Sequence, residues 1–106
     1  MTTQTRAWKP LFENDTVSAA VTGVAAYLPF PKTPMGVRAI RVANIGTAVV
    51  FFELTETPTA TATLTTSAPL LPNTVEVFTI ANDEVGITFI GSGAGSTLYV
   101  TPGEGL

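Results

Sequence analysis

Glycine and proline punctuate this chain so evenly that a long helix has no room. Nine Gly and eight Pro are spread over 106 residues, and the longest stretch free of both is 73–85. Proline deletes a backbone donor and glycine costs a helix interior about 1 kcal/mol against alanine. The 19 Thr and 11 Val point the same way, because β-branched side chains are stiff at χ1 and suit a pleated surface. The expected fold is all-β: a single β-sandwich or jelly-roll-like barrel of about seven or eight short strands with an extended N-terminal arm.

The division that follows is a polar arm over 1–14, with Trp8 and Phe12 as anchors, and a sandwich domain over 15–106. Strands are predicted at 16–27 (bent near Gly23), 37–44, 48–54, 59–66, 74–81, 85–90 and 96–101. Asn44-Ile45-Gly46-Thr47 reads as a hairpin turn, since Asn and Gly tolerate positive φ. Asn82-Asp83-Glu84 makes a second tight connection and the glycine-rich 91–95 a third. Pro29, Pro31 and Pro34 make 28–35 an extended loop rather than a central strand.

Alternation assigns faces. Ile40 and Val42 share one face of their strand, and Ala39, Arg41 and Ala43 share the other. Arg38 falls on the Ile40 face near the strand end, where it snorkels or meets a carboxylate. Val75, Val77 and Thr79 oppose Glu76, Phe78 and Ile80, an apolar pattern on both faces that suits a strand covered twice. Phe51 and Phe52 are adjacent, so one points into the core and the other is left for the arm or a partner.

All five cations, Arg6, Lys9, Lys32, Arg38 and Arg41, lie in the first 41 residues, which carry a net +3. Residues 42–106 carry six acids and no cation, a net −6. A basic arm on an acidic body serves docking or self-assembly. There is no His and no Cys, which removes the commonest general base, the best transition-metal ligands and the thiol nucleophile. No catalytic residue, metal site or cofactor is expected. Only 12% of residues are charged against a usual quarter, and a weakly charged surface is often one that a partner covers.

Other chemistries have only partial signatures in the chain. Thr57, Thr59, Thr61, Thr63 and Thr65 alternate with Pro58, Ala60, Ala62 and Leu64, a hydroxyl row that resembles an ice- or glycan-binding ladder but has no parallel copy. Gly91-Ser-Gly-Ala-Gly-Ser96 lacks the following helix and the Lys of a phosphate loop. Glu53/Glu56 and Asp83/Glu84 are the close carboxylate pairs, the minimal equipment of a glycosidase, and Asn82, Asp83 and Glu84 lack the spacing of a calcium loop. A net charge of −3 argues against nucleic acid, and no segment has the roughly 20 apolar residues of a membrane helix. The opening residues are polar and lack the apolar core of a signal peptide.

Four segments carry a family resemblance: Val42-Ala-Asn-Ile-Gly-Thr-Ala-Val-Val-Phe-Phe52, Ala68-Pro-Leu-Leu-Pro-Asn-Thr-Val-Glu-Val-Phe78, Ile87-Thr-Phe-Ile90 and Ser96-Thr-Leu-Tyr-Val-Thr-Pro-Gly-Glu-Gly-Leu106. Over 37–106 the chain resembles the small all-β virion proteins of tailed bacteriophages, particularly capsid decoration (cement) proteins. The resemblance implies a β-sandwich on the capsid surface, assembled in the host cytoplasm, that binds the major capsid protein and itself as a homodimer or homotrimer. It implies no nucleic acid, no membrane and no catalysis. A tail, neck or fibre-base subunit, or a carbohydrate-binding sandwich presenting Trp8, Tyr27 and Tyr99, are the alternatives. The residues expected to touch a partner are Arg6, Trp8, Lys9, Phe12, Phe51, Phe52 and Phe78.

Overall fold

The computed structural model describes residues 9–10, 16–30, 39–80 and 83–104. Among them every regular element is a strand: β1 (Lys9–Pro10), β2 (Val17–Val21), β3 (Ala26–Pro29), β4 (Ala39–Gly46), β5 (Val50–Thr55), β6 (Ala68–Leu70), β7 (Thr74–Thr79), β8 (Gly86–Gly91) and β9 (Ser96–Glu104). They form two antiparallel sheets. In sheet A, β1 and β2 both pair with β9, which pairs with β4 and that with β7. Sheet B runs β3-β8-β5-β6.

The pairs β2·β9, β3·β8, β4·β7 and β5·β6 are nested one inside the next. From β2 onward the chain changes sheet at every step except between β5 and β6. That is the wiring of a jelly roll, a two-sheet sandwich, as the composition led us to expect.

Period-2 alternation builds the core. Ile40, Val42, Leu98 and Val100 of sheet A meet Val50, Phe52, Leu70, Ile87 and Phe89 of sheet B, all buried. Each such side chain contributes roughly 1.5–3 kcal/mol by leaving water. Phe52 and Phe78 join the sheets near one edge, their ring centroids 5.3 Å apart and tilted by 56°, the offset geometry that aromatic quadrupoles favour.

Four sheet-switching corners gather at one end and hold one another. Gly91 N–H donates to Thr22 O at 2.8 Å, Ser92 N–H to Val49 O at 2.9 Å and Thr47 N–H to Gly95 O at 3.2 Å. The Ser96 hydroxyl accepts from Ala48 N–H at 2.9 Å and donates to Ala48 O at 3.0 Å. Gly46 has φ +141°, and a Cβ there would collide with the Gly95 carbonyl and the Ser96 backbone. Two glycine-bearing corners can therefore cross at contact distance.

The structure corrects several expectations. Asn44–Thr47 and 91–95 are not hairpin turns, since β4 and β9 lie in sheet A while β5 and β8 lie in sheet B. The 16–27 run is two strands in different sheets, broken at 22–25. The 59–66 run is no strand but a turn-rich segment, and β5 pairs on one side with β6, which was not anticipated. Pro29 ends β3, an edge strand, where its missing N–H is harmless. Pro31, Pro34, Arg38 and Asn82 lie outside the described residues.

Candidate functional site

The two outer faces of the sandwich differ. On sheet B the segment 56–67 lies across the outward side of β8. Ala62 is only 2% exposed, and its N–H donates to Thr88 Oγ1 at 3.0 Å, while Thr88 Oγ1 donates to Ala26 O at 3.2 Å. Ser67 Oγ donates to Glu53 and accepts from Thr63 N–H at 3.0 Å. The threonine hydroxyls of this roof turn to local partners: Thr63 Oγ1 accepts from Thr66 N–H at 3.0 Å, and Thr57 and Thr59 share a hydroxyl contact of 3.2 Å. Such local bonds compete with a strand ladder, so the expected flat hydroxyl row does not exist. A cleft of about 170 Å³ between the roof and Tyr27 is lined by small and hydroxylic residues.

Sheet A has no such roof among the described residues. Register places its outward residues in four rows across the strands, the fourth of them Gly103, Ala39 and Thr79, in which Ala39 is buried. Ser18, Tyr99, Ala43 and Val75 make one row, Ala20, Thr97 and Ile45 a second, and Thr101, Arg41 and Val77 a third. Thr16 extends the third row, its hydroxyl 2.9 Å from that of Thr101. Ile45 is 49% exposed, Val75 46% and Tyr99 38%. Arg41 is the one charged side chain among the described residues that face this way. The face is wide, weakly charged and rich in apolar and threonine side chains, a composition that loses little on desolvation.

The candidate residues distribute as follows. Phe52 turns into the core and Phe78 packs on it, so both serve the sandwich itself. Phe51 stands half-buried on the outer face of sheet B, opposite Pro69 and Ile90. The Lys9 backbone pairs with Glu104 at the β9 end. Arg6, Trp8 and Phe12 lie outside the described residues. Ile45, Val75 and Tyr99 are not among the residues expected to touch a partner: the sequence offers Tyr99 only as a glycan-facing aromatic and Val75 only as one face of a covered strand. The alternation of Ala39, Arg41 and Ala43 was the available signal, but nothing local says that β4 lies between β7 and β9.

Other chemistry finds little support in the geometry. Tyr27 and Tyr99 stand on the outer faces of different sheets, so they make no common glycan platform. Tyr27 also lies flat over Gly86, whose missing side chain makes the space. The acids regroup: Glu53 takes Ser67, and Glu56 takes Asp83 from the loop before β8. Among the described residues no cluster of three acids is placed to hold a metal ion.

The hydrogen bond that protonated Glu56 donates to the Asp83 carboxylate and the charge of Asp83, with smaller contributions from desolvation and Glu84, raise the Glu56 pKa above its ordinary 4.5. The folded chain therefore holds this proton more tightly than the unfolded one. The pair's contribution to stability is full below the unfolded value and is lost as pH rises through the raised one. The thermal midpoint of Glu56→Gln should fall less than that of the wild type between about pH 4 and about pH 7. Identical pH profiles would contradict the pairing.

The chain matches no known protein-family model, and no curated protein is significantly similar to it in sequence.

Proposed function

We propose that this protein is a non-catalytic structural subunit of a tailed-phage virion, a capsid decoration protein that binds the outside of the head and stabilises contacts between capsid subunits. The observation that carries the reading is the outer face of sheet A, across which no described segment lies, with exposed Ile45, Val75 and Tyr99 and Arg41 as its one charge among the described residues. A broad contact needs such a surface, and the roof on sheet B leaves one face to meet a shell and the other to meet solvent. The jelly-roll wiring is one that viral capsid domains use, though lectins use it too. The resemblance over 37–106 supports the same role.

The test is co-sedimentation with heads of the encoding phage prepared without this protein. Tyr99→Glu and Ile45→Glu should each weaken binding by about tenfold or more, since an aromatic or aliphatic anchor at the centre of a contact is commonly worth over 1 kcal/mol. Their thermal midpoints should stay near wild type, because exposed positions usually change stability by about 0.5 kcal/mol or less. Wild-type protein that ignores heads, or variants that bind as well as wild type, would overturn the reading.

A further inference from the structure

We infer that β7 is a subunit–subunit contact at which two copies of the chain pair antiparallel, in a register centred on Val77, joining their A sheets into one. β7 (Thr74–Thr79) ends sheet A, with β4 on one side and, among the described residues, no strand on the other. An edge strand exposes a row of N–H and C=O groups that only another extended backbone satisfies in full. Proteins usually blunt such edges with proline, lysine or brevity. Of the other edges among the described residues, β3 ends in Pro29 and β6 is three residues with Pro69 at its centre, while β2 is open but shorter, with five residues. β7 has six residues, no proline and no lysine. Beside it runs an open groove of about 490 Å³ lined by Pro69, Leu71, Thr74, Val75 and Glu76, with Leu71 58% exposed.

The charge pattern selects a second copy and its register. A two-fold axis through the sheet keeps inward residues opposite inward ones, so the strand can centre on residue 76 or on residue 77. Centring on Glu76 sets two carboxylates face to face, which is destabilising. Centring on Val77 sets Val77 against Val77, Val75 against Thr79, and Glu76 against Phe78. No like charges then meet, and the outward row through Arg41 and Val77 continues across the axis. The role in an assembly rests on the function proposed above, but the pairing geometry does not. The outer face of sheet A stays free for a shell.

The chain has no cysteine, so single-cysteine variants report the register in solution without any capsid. In the proposed dimer the two Val77 Cα atoms lie about 4.5–5.5 Å apart, within disulfide reach. The two Val75 positions are displaced by four residues along the strands, roughly 13 Å. Under mild oxidation at high micromolar concentration, Val77→Cys should cross-link to a dimer about tenfold faster than Val75→Cys, which lacks the required approach. A mixture of Val75→Cys and Thr79→Cys chains should form the mixed dimer. Both of those positions are exposed, so this pair decides the matter even if Val77→Cys does not fold. Absence of the mixed dimer, or Val75→Cys cross-linking as fast as Val77→Cys, overturns the inference. Cross-linking as expected by protein that ignores heads would uphold the pairing and remove the virion role.

Discussion

Phe89→Ala lowers the stability of the folded chain by about 3–5 kcal/mol. Phe89 is 1% exposed on the inner face of β8, with Phe52 of β5 on one side and Ala26 of β3 on the other. Ala26 is too small to fill the space a lost ring leaves, and the antiparallel ladders on both sides of β8 hold the backbone in place. The cavity therefore persists, adding its own cost to the lost transfer energy. A domain of this size has only about 5–15 kcal/mol in total, so the variant sits close to unfolding at ambient temperature. Urea unfolding should show a much lower midpoint with an unchanged slope. A loss under about 1 kcal/mol would mean that the two sheets close over the site, contrary to the packing described.

Asn44→Ala is expected to cost about 3 kcal/mol, a large effect for one polar side chain. Asn44 is fully buried on the inner face of β4. Its Nδ2 donates to Ala48 O at 2.9 Å, Leu70 O at 3.0 Å and Leu71 O at 3.1 Å. One side chain thus ties the β4–β5 corner to the β6–β7 corner. Removing it strands buried carbonyls at about 1–3 kcal/mol each, although two amide hydrogens shared among three acceptors make the sum less than additive. Asn44→Leu restores volume without donors and should not rescue. Asn44→Asp should be worse still, because it removes the donors and buries a carboxyl group. Thermal unfolding of the three variants checks this, and a stable Asn44→Leu would show that the corners hold without the amide.

How much of this was legible before the fold was seen follows from the range of each force. The all-β class was written in Gly46, Gly91, Pro29 and Pro69 and in the density of Thr and Val, which act on their own backbone. The inward set of β4, Ile40 and Val42, came directly from alternation. The corners were misread as hairpins because a hairpin turn and a corner between sheets can both use the positive φ that Gly46 and Gly95 adopt. What separates them is partner choice: β4 pairs with β7 and β9, far along the chain. The 59–66 segment deceived for a related reason, since alternating Thr satisfies a strand pattern and a run of local hydroxyl bonds equally well. Tyr99 and Val75 became neighbours of Ala43 only through register. Part of the site was readable as faces, and none of it as a surface.

The central claim is that sheet A's outer face lies against a shell. A cryo-electron-microscopy map of phage heads saturated with the protein measures this directly. The predicted result is copies seated on the outside of the head, with the rows through Tyr99, Ile45 and Arg41 against the capsid and the 56–67 roof toward solvent. Bound copies with that face turned to solvent, or heads left bare at saturating protein, would contradict it.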